Sequence, residues 1–299
     1  MKEGREIFTS SGELESPEEI ERKKRVLPSR SGGLEKGPEL ENFLQRVDFD
    51  LLEDIFKKIA EKSDINPETL NLVNRERIFE KSSLGEEGTE NAGGYEPVKN
   101  IIAFSAREME KFQQTDFSGI HPDVLKLYIL CHEETHATAK TVCKGGFARS
   151  RRAEVQMGYQ QTKFKKTLFG KRPKQFFEFL NEGVTDKLTR EVFQEYTTAT
   201  AFSNTDELSK FRKKAETYYS PYVTLVDALI SKINSETNIP EEVIWKSIIR
   251  GMYEGEDLMG EELRQAFDEA ISRGFVERLA IAKTADDIES LIGELNAPQ

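Results

Sequence analysis

Two of the three histidines in this 299-residue chain stand four positions apart, in His132-Glu133-Glu134-Thr135-His136. On an α-helix, positions i and i+4 lie one above the other on the same face. That spacing lets two imidazoles reach one tetrahedral zinc ion at roughly 2.0–2.1 Å. Glu133, one step round from the first histidine, can then act as general base on a water held at the ion. The pattern constrains the fold as much as the chemistry, because it works only on a helix. The flanks agree: Pro122 and Asp123 suit a helix start, with proline tolerated in the first turn and aspartate favourable near the positive end. Val124, Leu125, Leu127, Tyr128, Ile129, Leu130 and Cys131 lead into the motif, and the face of His132 continues through His136 and Ala139 to Cys143. A helix apolar nearly all round is a buried one. Two histidines and two glutamates inside it need partners, and a metal ion would supply them. The alternative is a helix whose histidines are ordinary core or surface residues.

A second anchor is Asn181-Glu182-Gly183-Val184-Thr185-Asp186. It falls in a segment predicted helical from near Pro173, with Phe176, Phe177, Phe179, Leu180, Val184, Leu188, Val192 and Phe193 at helical spacing. Glu182 interrupts the apolar face, and Gly183 beside it costs of order 1 kcal/mol relative to alanine. A glycine inside a helix marks close approach of another backbone. Glu182 as a third metal ligand accounts for both. Asp186, one turn on, is placed to accept the second ring N–H of a metal-bound histidine. Taken alone, the two carboxylates would read as a solvated helix face.

On these two motifs the chain resembles the gluzincin metallopeptidases, the thermolysin-like arrangement of H-E-x-x-H with a glutamate on a following helix. It is most similar to the small bacterial and toxin-type members, whose second helix reads N-E-G-x-T-D/E. The resemblance implies one Zn²⁺ held by His132, His136 and Glu182, with Glu133 as general base of peptide hydrolysis and Asp186 as the carboxylate behind the ligands. It also implies a zincin-like α+β fold, mainly helical, with a small antiparallel sheet or hairpin before the active-site helix and a helical C-terminal subdomain. It covers roughly Gly93 to Tyr196, and departs from the pattern in the 45 residues between His136 and Glu182, a long linker that points to insertions. The metzincin pattern is excluded, since positions 139 and 142 are Ala and Val and no third histidine follows.

Hydrolysis also requires a donor for the developing oxyanion. Tyr159, Tyr218 and Tyr219 are candidates, with Arg149 and His121 behind them, and spacing does not choose among them; His121 precedes the helix and reads as a loop residue. The competing function is a non-catalytic zinc-binding or protein-interaction module with a structural metal site. Glu133 discriminates, because a closed structural site needs no carboxylate there.

Upstream, Ala92-Gly93-Gly94-Tyr95 and Asn100-Ile101-Ile102-Ala103-Phe104 flank a Pro97 turn and predict a β-hairpin. In such zincins an edge strand precedes the active-site helix and can pair with an extended substrate; a plain structural hairpin fits equally well. Residues 1–42 are charged and poor in apolar periodicity, which predicts disorder. A catalytic core is expected over 43–199, interrupted by an acidic Gly-rich loop from Ser82 to Gly94, and a helical subdomain over 200–299.

The net charge of −11 argues against general nucleic-acid binding. It hides an asymmetry: Lys144 to Lys174 holds ten basic residues against Glu154, a charge of +9 that leaves −20 on the rest of the chain. Val155, Met157 and Tyr159 alternate there as in a half-buried strand. The segment reads either as a rim attracting an acidic peptide substrate or, the reading favoured by sequence, as a solvated basic hairpin balanced by acidic neighbours. No apolar leader follows Met1-Lys2-Glu3 and no stretch is long enough to span a bilayer, so a cytoplasmic protein is expected. Cys131 and Cys143 would lie roughly 18 Å apart on one helix, too far for a disulfide, and read as buried small residues.

Overall fold

The computed structural model describes residues 34–81, 92–97, 100–145, 152–167, 170–200, 202, 205–218, 220–254 and 261–297. Pro38 in the first turn opens helix α1 (Pro38–Arg46), which buries Leu40, Phe43 and Leu44. Helix α2 (Phe49–Lys62) starts on Asp48, whose side chain accepts the Leu51 N–H, and buries Leu52, Ile55, Phe56 and Ile59. The folded chain therefore begins upstream of the expected Phe43. Leu40 is 1 % exposed, and Glu35 bridges to Glu80. One turn of apolar spacing is too short to stand out from the charged residues around it.

Strands β1 (Ile78–Lys81), β2 (Gly93–Glu96) and β3 (Ile101–Ser105) form a sheet of order β1-β3-β2. The expected hairpin is present, with Tyr95 opposite Ile102 and Gly93 opposite Phe104. Because β1 runs parallel to β3, the sheet is mixed rather than antiparallel. Ser105 caps helix α3 (Ala106–Gln114). Helix α4 (Pro122–Thr138) carries the two histidines, and from Val124 to Thr138 all its residues but Lys126 are buried.

Cys143 does not continue that helix. After Ala139 the chain enters β4 (Thr141–Gly145), followed by β5 (Arg152–Met157), β6 (Gln160–Thr167) and β7 (Gly170–Phe176), an antiparallel sheet in sequential order. Thr138, Thr141 and Val142 are β-branched and prefer a strand to a further helical turn. The basic segment is thus a four-stranded sheet inserted between the two motifs.

Helix α5 (Glu178–Ala199) bears Glu182 and starts later than the Pro173 expected from spacing. Pro173 lies in β7, and Phe177 turns the chain in a left-handed conformation (φ 56°), its N–H bound to the Ala280 carbonyl. The helices α6 (Thr205–Tyr218), α7 (Ser220–Thr237), α8 (Glu241–Glu254), α9 (Glu261–Ala270), α10 (Arg273–Ile281) and α11 (Ala285–Leu295) complete a mainly helical α+β fold. Two apolar clusters hold it together, and α5 belongs to both. Leu188, Val192, Phe193 and Tyr196 join α4 and the mixed sheet, whereas Leu180 and Val184 join the C-terminal helices. Each such buried side chain is worth about 1.5–3 kcal/mol of apolar transfer. Gly183 allows the contact with α7: a Cβ there would lie 2.5 Å from the Tyr222 carbonyl oxygen. Among the described residues no helix is long and apolar enough to cross a membrane.

Candidate metal centre

Helices α4 and α5 pack side by side and bring both motifs to one point. His132 Nε2 lies 3.4 Å from one Glu182 carboxylate oxygen, and His136 Nε2 lies 3.6 Å from the other. The imidazole centroids are 4.8 Å apart, with planes at 79°. One ligand atom from each of the three residues falls within 4.8 Å of the others. Tetrahedral ligands held at about 2.1 Å would be roughly 3.4 Å apart, and each imidazole meets a different Glu182 oxygen at close to that spacing. His132, His136 and Glu182 could together hold a metal ion. The His132 and His136 side chains are 10 % and 8 % exposed and that of Glu182 is 32 % exposed, so the group opens toward solvent on the glutamate side.

Electrostatics bind the cluster even as bare side chains. Burial would lower the His132 imidazole, but the carboxylates of Glu182, Glu133 and Asp186 outweigh it and hold its pKa up at about 9. Burial would raise the Glu182 carboxyl; His136 and His132 overcome this and keep it well below the usual carboxylate range. The donors thus include a firmly ionised carboxylate.

Glu133 sits beside this group, buried between α4 and the edge strand β2. Its carboxylate accepts the Tyr95 backbone N–H, and Gly93 is so close that a Cβ there would lie 2.9 Å from Glu133 Oε1. Burial foremost, with repulsion from Glu182, raises its pKa against the pull of His132, His136 and the Tyr95 N–H. A carboxylate with a raised pKa is the better proton acceptor.

Glu134 faces elsewhere. Its carboxylate accepts the Val73 N–H at 2.9 Å, fastening the segment before β1 to α4, and burial pushes its pKa up to about 8. Sequence reasoning had a metal satisfy both glutamates of the motif; for Glu134 a backbone N–H is the partner. Cys131 is buried and its thiol is pushed up by that burial, in keeping with a small core residue.

Asp186 is fully buried one turn after Glu182, accepting Tyr128 Oη–H on one oxygen and Arg190 Nε–H at 2.9 Å on the other. Its charge acts on His132, while Thr185 Oγ1 lies 3.5 Å from His136 Nδ1. Tyr128, Arg190 and Thr185 were not singled out from sequence, although Tyr128 and Arg190 stand at i−4 from His132 and i+4 from Asp186.

Of the three tyrosine candidates, only Tyr159 has a described side chain. Tyr159 is buried, donates its hydroxyl to the Ile248 carbonyl at 2.7 Å and gives its N–H to Asn181 Oδ1 at 3.0 Å. That hydroxyl is engaged by a helix backbone. Tyr219, Arg149 and the Tyr218 side chain lie outside the described residues. His121 is the N-cap of α4, its ring accepting the Asp123 N–H. A hydroxyl missed from sequence is that of Tyr222 on α7. Its ring stacks on Phe179 at 5.2 Å, its backbone meets Gly183, and burial together with the charge of Glu182 raises its pKa.

No protein-family model matches the chain, and neither the curated proteins nor the solved structures compared with it give a match.

Proposed function

We propose that the protein is a zinc-dependent endopeptidase of gluzincin type. The observation that carries this reading is the Glu133 carboxylate, buried against a His132–His136–Glu182 group that opens to solvent on one side. A closed structural site would need neither the opening nor the carboxylate. Zinc bound there would supply Lewis acidity and make a water acidic near neutral pH. Glu133, with its raised pKa and its hydrogen bond from Tyr95, accepts the proton from the attacking water and returns it to the departing amine. The edge strand β2 runs past Glu133 and offers its backbone to an extended peptide, the Tyr95 N–H being already given to the carboxylate. Tyr222, whose hydroxyl lies in the field of Glu182, serves in place of Tyr159 as donor to the oxyanion.

Glu133→Gln tests the reading. The amide keeps the shape of the side chain and cannot take a proton, so peptide hydrolysis should fall by about 10²–10⁴-fold while metal content and thermal stability are retained. Hydrolysis at the wild-type rate would remove Glu133 as base. A wild-type protein that binds zinc, captures a protein partner and cuts no peptide in a broad library would replace the enzyme by a non-catalytic binding module.

A further inference from the structure

The four-stranded sheet between the motifs concentrates positive charge in a way that only its register reveals. Arg152 pairs with Lys165, and Lys165 with Arg172, so three bases form one rung. Two residues nearer the core the next rung is Glu154, Lys163 and Lys174. Positions two apart along a strand lie on one face, so the register assigns the positions of five basic residues and Glu154 to one face. The ring contacts agree: Lys163 Nζ lies 5.1 Å and Lys174 Nζ 5.0 Å from the centroid of Phe176, one step further along the same face. The Lys163 side chain is 53 % exposed, and its ammonium is 4.0 Å from the Glu154 carboxylate. Like charges directly opposite one another destabilise a sheet, and an anion laid across the rungs relieves that repulsion.

The sheet is rooted beside the candidate metal centre. Its β5–β6 turn is pinned by the Tyr159 N–H to Asn181, the residue preceding Glu182. At roughly 3.3 Å per residue, the two rungs lie about 10 and 17 Å beyond Gln160 along β6. That reach corresponds to about three to five residues of extended polypeptide.

We infer that this face docks an acidic stretch of polypeptide lying a few residues from the segment in the cleft. As a statement about substrate this rests on the peptidase reading; as a statement about binding it does not. Charge complementarity selects the occupant. A nucleic acid carries charge continuously, about one per 1.7 Å of duplex, and would run from this patch onto a chain that is otherwise −20. Single strands also need aromatic faces for their bases, and the Phe176 ring already carries two ammoniums. A short acidic peptide matches a patch of this size.

The test is fluorescence anisotropy of a labelled oligoglutamate with the full-length, zinc-loaded protein. Binding should weaken at higher salt and fall about tenfold or more in Lys163→Glu/Lys174→Glu, with zinc content and helicity kept. Lys246→Glu on α8, a partly exposed lysine paired to Glu242, should bind as wild type does. Should the double reversal fail to fold, Lys163→Gln/Lys174→Gln must still weaken binding. An oligothymidylate of matched charge that binds more tightly would make the partner a nucleic acid, and oligoglutamate binding unaffected by the variants would return the sheet to a solvated face. Glu133→Gln should hold oligoglutamate as wild type does, so loss of docking and loss of hydrolysis are read separately.

Discussion

Gly93 is where the structure makes its sharpest demand on a single residue. An alanine there would set its Cβ 2.3 Å from Ile129 Cγ2 and 2.9 Å from Glu133 Oε1. Carbon atoms at rest are about 3.5–4.0 Å apart, so β2 and α4 must separate by roughly 1 Å. Ile129 cannot retreat, being 6 % exposed in a helix buried nearly all round. Overpacking of this kind costs about 1–3 kcal/mol, and a catalytic group displaced by about 1 Å loses on the order of 10²-fold in rate. Gly93→Ala should therefore lose that much stability in urea denaturation and that much peptidase activity, with zinc content unchanged because no ligand lies on β2. Ile129→Leu removes the Cγ2 methyl. Added to Gly93→Ala it should recover more stability than activity, since the contact with Glu133 remains. Gly93→Ala within about 0.5 kcal/mol of wild type, the range of an ordinary surface substitution, would refute the close approach of strand and helix.

Glu182→Ala should greatly reduce bound zinc by elemental analysis, and uptake by the wild-type apoprotein should release protons and strengthen with rising pH, because an imidazole held near pH 9 must deprotonate to ligate. Tyr159→Phe should cost about 1 kcal/mol in denaturation and leave kcat unchanged, whereas Tyr222→Phe should lower kcat on the order of 10²-fold at unchanged stability; the opposite pattern would restore Tyr159 to the reaction. Glu134 has a folded pKa of about 8, above its ordinary 4.5, so the stability it contributes is full below the lower value and lost as pH rises through the higher one. Glu134→Gln should flatten that decline between about pH 4.5 and 8 in denaturation curves, and a decline equal to wild type would mean the carboxyl titrates normally.

The parts of the fold legible in the sequence are those whose signal is local. Helix α4 announces itself through Pro122, Asp123 and an unbroken apolar run, and the β2–β3 hairpin through its glycines and the Ile101–Phe104 stretch. The chain past α4 misleads for the same reason. A helical period read through Ala139 to Cys143 cannot register that Lys140 gives its N–H to the Met252 carbonyl, more than a hundred residues away, and so leaves the helix. Phe176 and Phe177 fit a helical spacing on paper, yet one ends a strand and the other turns the chain in a left-handed conformation.

The site divides along the same line. His132 and His136 meet by i,i+4 geometry alone, and Glu182 is recognisable because a charged residue and a glycine interrupt an apolar face. Tyr159 and Tyr222 look alike as hydroxyls in the sequence, and only distant partners separate them: Ile248 engages one, while the backbone of the other packs against Gly183. Gly93 shows how far a local reading can go. Its glycine signals a turn or close approach in the sequence, but the atoms it makes room for, on Ile129 and Glu133, lie across a sheet-to-helix contact that no spacing rule contains. A residue that builds the site by being absent as a side chain becomes visible only when its missing Cβ is placed against the helix it would strike.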